Sequence, residues 1–280
     1  MTVHHTPTTP SPARPARGRR PGAGTLYLLG FAALYLAAVR TPFGQRAENG
    51  LINENGAGPA WIYDWSGAAY GSWALPPLED TALPTLLAGL AVLAAVTVVR
   101  RCWWRGGAAA GVVVGTLVTA EVCARVLPRP DLVDAHMMLL EPSFPSGHAA
   151  VPAALAAGAA LVVSARVRPW VLAAGLLWLA VTAAAVQATY HHRPSDVLGA
   201  ALLACVCHRL AVRLLPADAA QEAPAPSRWP AVAVLVPAAA GALVAGARND
   251  GLLPSLVFAA AAFGCALLVW SAVRLDRSAR

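Results

Sequence analysis

The 280-residue chain contains no lysine, so every one of its 21 basic residues is an arginine, set against 14 acidic ones. Charge of either sign is scarce: 12% of the residues are charged, 58% are hydrophobic, and the mean hydropathy is +0.56. That balance lies outside the range of water-soluble domains. Cysteine is also sparse. Cys102, Cys123, Cys205, Cys207 and Cys265 fall in or beside apolar stretches, which argues against a disulfide framework. There is no glycine-rich phosphate loop and no internal repeat, and no segment interleaves basic and aromatic side chains. The formal charge of +7 therefore does not read as a nucleic-acid surface, and no nucleic-acid partner is expected.

Long apolar runs are abundant. A run of about 18 or more residues without charge reads as a membrane-spanning helix, and eight such spans are predicted, at 25–39, 83–99, 107–124, 148–165, 170–188, 196–215, 229–247 and 252–273. The first is short, with Arg14 to Arg20 before it, and reads as a retained signal-anchor. The seventh contains Pro237. Richness in Ala and Gly suits close helix packing in lipid. The expected fold is an all-α, polytopic transmembrane helix bundle. Its organisation reads as a cytoplasmic tail over 1–22, six spans over 23–215, a Pro/Ala-rich cytoplasmic linker over 216–228, and an extra transmembrane helical pair over 229–280. In the segment from Arg40 to Thr81, Trp61, Tyr63, Trp65, Tyr70 and Trp73 suit an interfacial cap or headgroup-level anchoring.

Arginine placement sets the orientation. With both termini in the cytoplasm, the inner segments hold Arg14, Arg17, Arg19, Arg20, Arg100, Arg101, Arg105, Arg166, Arg168, Arg209, Arg213, Arg228, Arg274, Arg277 and Arg280, which is 15 of the 21. The outer segments hold the other 6: Arg40, Arg46, Arg125, Arg129, Arg193 and Arg248. An excess on alternate loops is what the positive-inside rule requires of an even-numbered bundle. The expected location is the cell membrane, with multiple passes.

Three of the outer arginines, Arg125, Arg129 and Arg193, oppose that bias, and they lie beside the chain's most polar clusters. These are Pro145-Ser146-Gly147-His148 and His192-Arg193-Pro194-Ser195-Asp196, with His148 and His192 separated by 44 positions. Two spans of about 20 residues at 1.5 Å rise, plus short turns, return the chain to the same leaflet over that distance. Arg129, at the outer end of the third span, arrives at the same level. Ionisable groups gathered at helix ends in or near a bilayer are functional candidates.

Arg129-Pro130, Pro145-Ser146-Gly147-His148 and His192-x3-Asp196 resemble, in order and spacing, the three motifs of the type-2 phosphatidic acid phosphatase family, whose fold is shared with vanadium-dependent haloperoxidases. The resemblance covers about 107–215, makes the first six spans a phosphatase core, and leaves the last two outside it. It implies that His192 attacks phosphorus to give a phosphohistidine. Asp196 would accept a hydrogen bond from the other ring nitrogen, and His148 would protonate the leaving oxygen and later help activate water. The Ser146 and Gly147 amides, at a helix N-terminus, would bind phosphate oxygens, and Arg129 would add bidentate charge. The three-residue gap to Asp196 selects His192 over the adjacent His191. A metal-independent hydrolase acting on a membrane lipid phosphate at the outer face is expected, with no cofactor. Phosphatidic acid, phosphatidylglycerol phosphate and a polyprenyl pyrophosphate all remain open, as does the oligomeric state.

The chain departs from that pattern at two cations. The lysine expected seven residues before Arg129 is Val122, and the arginine expected six before His192 is Val186. Arg125 and Arg193 are the nearest replacements as substrate-binding residues. A zinc site built from His148, His191, His192 and Asp196 is the main chemical rival, opposed by the surrounding arginines. His136 and Glu141 read as loop residues, Met137 and Met138 as apolar packing, and His4 and His5 as incidental. Two other functions stay open: a catalytically silent relative that binds phospholipid, and a structural or transport bundle. Transporters place polar groups near the midplane, where these spans have almost none.

Overall fold

The computed structural model describes residues 22–52, 83–136, 139–140, 142–216, 219, 231–248 and 251–275. Most of the N-terminal tail, the aromatic segment with Trp61 to Trp73, Met137, Met138, Glu141 and most of the 216–228 linker lie outside the described residues. Among the described residues all regular structure is helical: α1 (Ala23–Leu34), continued by a π-helical turn (Tyr35–Val39), α2 (Pro42–Asn49), α3 (Leu83–Arg100), α4 (Trp103–Val126), α5 (Gly147–Val162), α6 (Arg168–Ala188), α7 (Pro194–Leu214), α8 (Ala231–Gly246) and α9 (Leu252–Leu275). Each of the eight predicted spans falls on one of these helices, and Pro237 sits inside α8 without ending it.

By length and composition, α4, α6, α7 and α9 can each cross a membrane, and the bent pair of α1 with α2 makes a possible fifth. The other three, α3, α5 and α8, are apolar but shorter. Length alone therefore supports fewer crossings than the eight predicted. At 16 residues α5 spans about 24 Å, short of a ~30 Å hydrocarbon core. It is the most enclosed helix, however. From Ala149 to Val163 only Ala159 is not buried, because α4, α6, α7 and α3 all pack against it. A helix that is apolar all round belongs inside a bundle, and alanine side chains let its neighbours approach closely. Outside, the surface is oily: Leu29, Val118, Val236 and Leu253 are exposed. Apolar side chains on the outer faces of a helical bundle are what lipid contact demands.

The chain order alternates helix direction, so the two polar clusters and the loop after α4 meet at one end of the bundle. At the other end arginines bind carbonyls: Arg100 donates to Val162 O, and Arg105 donates to Ala219 O at 3.2 Å. The sequence reading passed over α2. It turns 78° away from the first helix. Thr41 caps it by accepting the Gly44 N–H at 3.0 Å, and Pro42 takes the first position, where a missing N–H costs nothing. Gly44 is required at the bend, since a Cβ there would lie 2.1 Å from Ala37 O. This turn lays α2 across the site end of the bundle.

The last helical pair braces the middle of the bundle. Both α8 and α9 pack on α6, and α9 also packs on α7. From the turn between them Arg248 reaches the end of α6. Its Nη1 donates to Ala188 O at 2.9 Å, and its guanidinium lies 3.9 Å from the centre of the Tyr190 ring. Tyr190 has φ 63°, the left-handed conformation usually given to glycine at a helix end. For a tyrosine that conformation is strained by about 1–2 kcal/mol, so the Arg248 contacts offset a local cost. Arg248→Ala is expected to destabilise the protein by roughly 2–4 kcal/mol, through loss of the charged hydrogen bond to Ala188 O and the cation–π contact with Tyr190. A melting temperature in detergent lowered by several degrees is the expected reading; an unchanged one would show that the brace carries no load.

Candidate active site

Each polar motif sits at a helix start. Ser146 is the N-cap of α5, its Oγ accepting the Ala149 N–H at 3.2 Å, which places His148 in the first turn. Pro194 opens α7 at its first position, so Asp196 falls in the first turn and His192 lies just before it. The carboxylate of Asp196 turns back to accept the Arg193 N–H at 2.9 Å, a helix-start bond that also fixes it beside His192. The last turn of α6 delivers the histidine: the N–H groups of His191 and His192 both donate to Val186 O, at 3.0 and 3.1 Å.

These placements bring His148, His192 and Asp196 into one line. His148 Nδ1 is 3.1 Å from His192 Nε2, with the rings edge to face. His192 Nδ1 is 3.4 Å from Asp196 Oδ2, a charge contact looser than a good hydrogen bond. Apo sites commonly show such looseness at bonds that tighten on substrate binding. Asp196 is fully buried, and its Oδ2 also accepts the Ser143 hydroxyl at 2.6 Å. Ser143 in turn accepts from Arg193 Nη1 at 3.0 Å, while Arg193 Nη2 donates to Leu139 O. A carboxylate only accepts, so the proton of neutral His192 belongs on Nδ1, leaving the Nε2 lone pair toward His148.

Arg129 approaches from the loop after α4, its side chain almost wholly buried. Its Nη1 is 3.8 Å from Glu48 Oε2, and its Nη2 donates to Asn49 Oδ1 at 3.2 Å. Burial and the adjacent Arg193 both hold the Arg129 guanidinium below its usual pKa, while Glu48 opposes them. His191, by contrast, is exposed and its Nδ1 contacts Thr189 Oγ1 at 2.9 Å. Desolvation, and then the neighbouring His192, lower its pKa and so disfavour its charged form.

Two expected phosphate contacts are not delivered as predicted. Arg125 is exposed and pairs with Glu121 at 2.6 Å along its own helix, so it does not join the cluster. The Ser146 amide is not presented to a ligand either, because it donates to Asp196 O at 2.9 Å and so ties the second motif to the third. Gly147 remains. It is exposed, a Cβ there would meet nothing within 4 Å, and its amide makes no hydrogen bond among the described residues. An open helix N-terminus of this kind suits a phosphate oxygen. The two apolar replacements are accounted for: Val122 faces outward, and Val186 is packed in the core. Next to it Gln187 turns toward α9, donating to Phe258 O at 3.4 Å. No group of three or more His, Cys, Asp or Glu side chains among the described residues is placed to hold a metal ion.

Sequence reasoning missed Glu48, Asn49, Ser143 and Gln45. The first two and Gln45 lie on a short polar helix that no apolar period announces; the Thr41-Pro42 start signal was the clue available. Ser143 precedes its motif by only two residues, yet its partner is fifty positions away.

A helical bundle with an oily exterior thus carries a His–His–Asp line at one end. Residues 103–219, from the start of α4 to just beyond α7, match the PAP2 superfamily, and this stretch holds all three motifs. No curated protein and no solved structure matches the chain.

Proposed function

We propose that the protein is an integral membrane phosphatase that hydrolyses a lipid phosphate or polyprenyl pyrophosphate at the outer membrane face, through a phosphohistidine and without a metal. The observation that carries this reading is the 3.1 Å approach of His148 Nδ1 to His192 Nε2, backed by the buried Asp196 carboxylate on the opposite nitrogen. The His192 Nε2 lone pair attacks phosphorus while the bond from phosphorus to the leaving oxygen breaks, and His148 gives that oxygen its proton. The phosphorylated ring is cationic, and Asp196 offsets its charge. Water then attacks phosphorus as His148 takes its proton, and free phosphate departs with the His192 lone pair restored. Because the two nitrogens are in contact, phosphorus reaches Nε2 only as the rings separate.

The open Gly147 amide, Arg129 and Arg193 are the groups available to hold the phosphate oxygens. Arg129 and Arg193 stand at the arginine-poor end of the bundle, which supports an outward-facing site. Two of the cation positions that the resemblance implies are apolar here, with Arg193 as a replacement for one, and one such donor is worth about 3 kcal/mol in a transition state. Val122 and Val186 accordingly favour a second reading, a silent relative that binds phospholipid. An assay of phosphate release in detergent, over phosphatidic acid, phosphatidylglycerol phosphate and a polyprenyl pyrophosphate, separates the two. Release from at least one of them, undiminished by EDTA, is expected. No release from a folded protein would sink the phosphatase reading, and loss of release on chelation would sink its metal independence.

A further inference from the structure

The segment 22–52 lies outside the residues matching the superfamily, yet it grips the site. On α2, Gln45, Glu48 and Asn49 are spaced i, i+3 and i+4 and so share one face. Gln45 is fully buried; its Nε2 donates to Pro130 O at 2.6 Å and to Val39 O at 2.8 Å, and its Oε1 accepts the Leu132 N–H at 3.2 Å. From the preceding π-helical turn the Tyr35 hydroxyl donates to Pro128 O at 2.8 Å. The backbone on both sides of Arg129 is therefore fixed from the N-terminal segment, and Asn49 holds its guanidinium. Glu48, which is also buried, does two things at once. Its Oε1 accepts the Ser195 N–H at 2.9 Å, and its Oε2 stands 3.8 Å from Arg129 Nη1. Ser195 lies in the first turn of α7, between His192 and Asp196.

Resting on the phosphatase reading above, we propose that Glu48 is a positioning residue for phosphoryl transfer, locking Arg129 to the first turn of the helix that carries Asp196. A neutral acceptor would satisfy the Ser195 amide equally well. A buried carboxylate beside a phosphate site repels the substrate, so a residue serving only as a hydrogen-bond acceptor would be better uncharged. What the charge adds is a hold on Arg129, whose burial next to Arg193 disfavours it there. Held in this way, the guanidinium meets the phosphoryl group where charge spreads in the transition state, rather than following the phosphate in the ground state. The first-turn amide of α7 is occupied by Glu48, so an incoming phosphate is left to the N-terminus of α5, where Gly147 is open.

The test uses the full-length protein in detergent and compares wild type with Glu48→Gln, Arg129→Ala, the double variant and His192→Ala. Glu48→Gln keeps an acceptor for Ser195 and replaces the charged oxygen near Arg129 with a neutral amide NH2. It should lower kcat by about tenfold with KM unchanged or lower, because ground-state binding is not what it supports. In the Arg129→Ala background the same change should cost less than about twofold, since residues acting as a unit are not additive. A kcat within twofold of wild type overturns the proposal, as does an equal loss with and without Arg129. Binding of inorganic phosphate, followed by thermal shift, gives a readout free of turnover: Glu48→Gln should bind at least as tightly as wild type, and Arg129→Ala more weakly. Weaker binding by Glu48→Gln, or undiminished binding by Arg129→Ala, overturns it too. Failure of the phosphatase reading itself shows elsewhere, as turnover that survives His192→Ala.

Discussion

His192→Ala is expected to lower phosphate release by at least about 10³-fold while the protein remains folded. In the proposed mechanism the loss is large because the variant lacks the atom that bonds to phosphorus, and no neighbour replaces it. His191 points to Thr189, and His148 holds its Nδ1 toward the place His192 vacates rather than toward Asp196. The structural cost is small for a physical reason. The His192 backbone N–H, which helps close the turn after α6, is untouched, and Asp196 keeps its bonds from Ser143 and the Arg193 amide. A melting temperature within a few degrees of wild type should accompany the loss, by roughly the size of a partly exposed contact. Retained turnover in a folded variant would remove His192 from the mechanism.

The second large effect is at Asp196, where two substitutions separate charge from architecture. Asp196→Ala leaves the Ser143 hydroxyl and the buried Arg193 N–H without their acceptor. It should cost about 2–4 kcal/mol of stability, since each orphaned buried donor costs about 1–3 kcal/mol, and about 10³-fold in activity. Asp196→Asn should behave differently. Its amide oxygen can stay at the Oδ2 position, still accepting from Ser143 and Arg193 and still fixing the His192 proton on Nδ1. What it removes is the negative charge 3.4 Å from that nitrogen. The expected loss is about 10²-fold in turnover with most of the stability retained. If both variants lost activity equally and kept the wild-type melting temperature, the carboxylate would not be doing both jobs.

Much of this arrangement was legible in the sequence because it rests on local rules. Apolar runs mark helices whatever their neighbours, so the eight predicted spans fall on the eight longer helices. Ser146 caps α5 and Pro194 opens α7, which puts His148 and Asp196 in first turns, and the contact of His192 with Asp196 is the one the family resemblance implies. Arg193, the basic residue next to His192 in sequence, joins the cluster through Ser143. What composition could not reveal depends on direction. Arg125 and Arg129 are one turn apart in sequence, but helix α4 ends at Val126, so Arg125 stays on its exposed face while Arg129 is carried inward by the loop. The Ser146 amide could be assigned to a ligand only until the Asp196 carbonyl was placed against it.

Glu48 and Arg248 were illegible for the same reason. Each belongs to a segment outside the three motifs, and each acts through a contact 60 or more positions away: Glu48 on Ser195, Arg248 on Ala188. Both meet the turn that presents His192 and Asp196, Glu48 from the α7 side and Arg248 from the α6 side. The N-terminal segment and the final helical pair thus frame a line of residues whose own motifs are short. The cationic cradle remains lean, with Arg129 and Arg193 as the arginines joined to it among the described residues.

The most direct test is a rapid quench during turnover of a substrate carrying a labelled terminal phosphate, followed by mapping of the labelled peptide. Label on His192, stable in alkali, labile in acid and absent from His192→Ala, is the expected result. Label on any other residue would contradict the phosphohistidine mechanism.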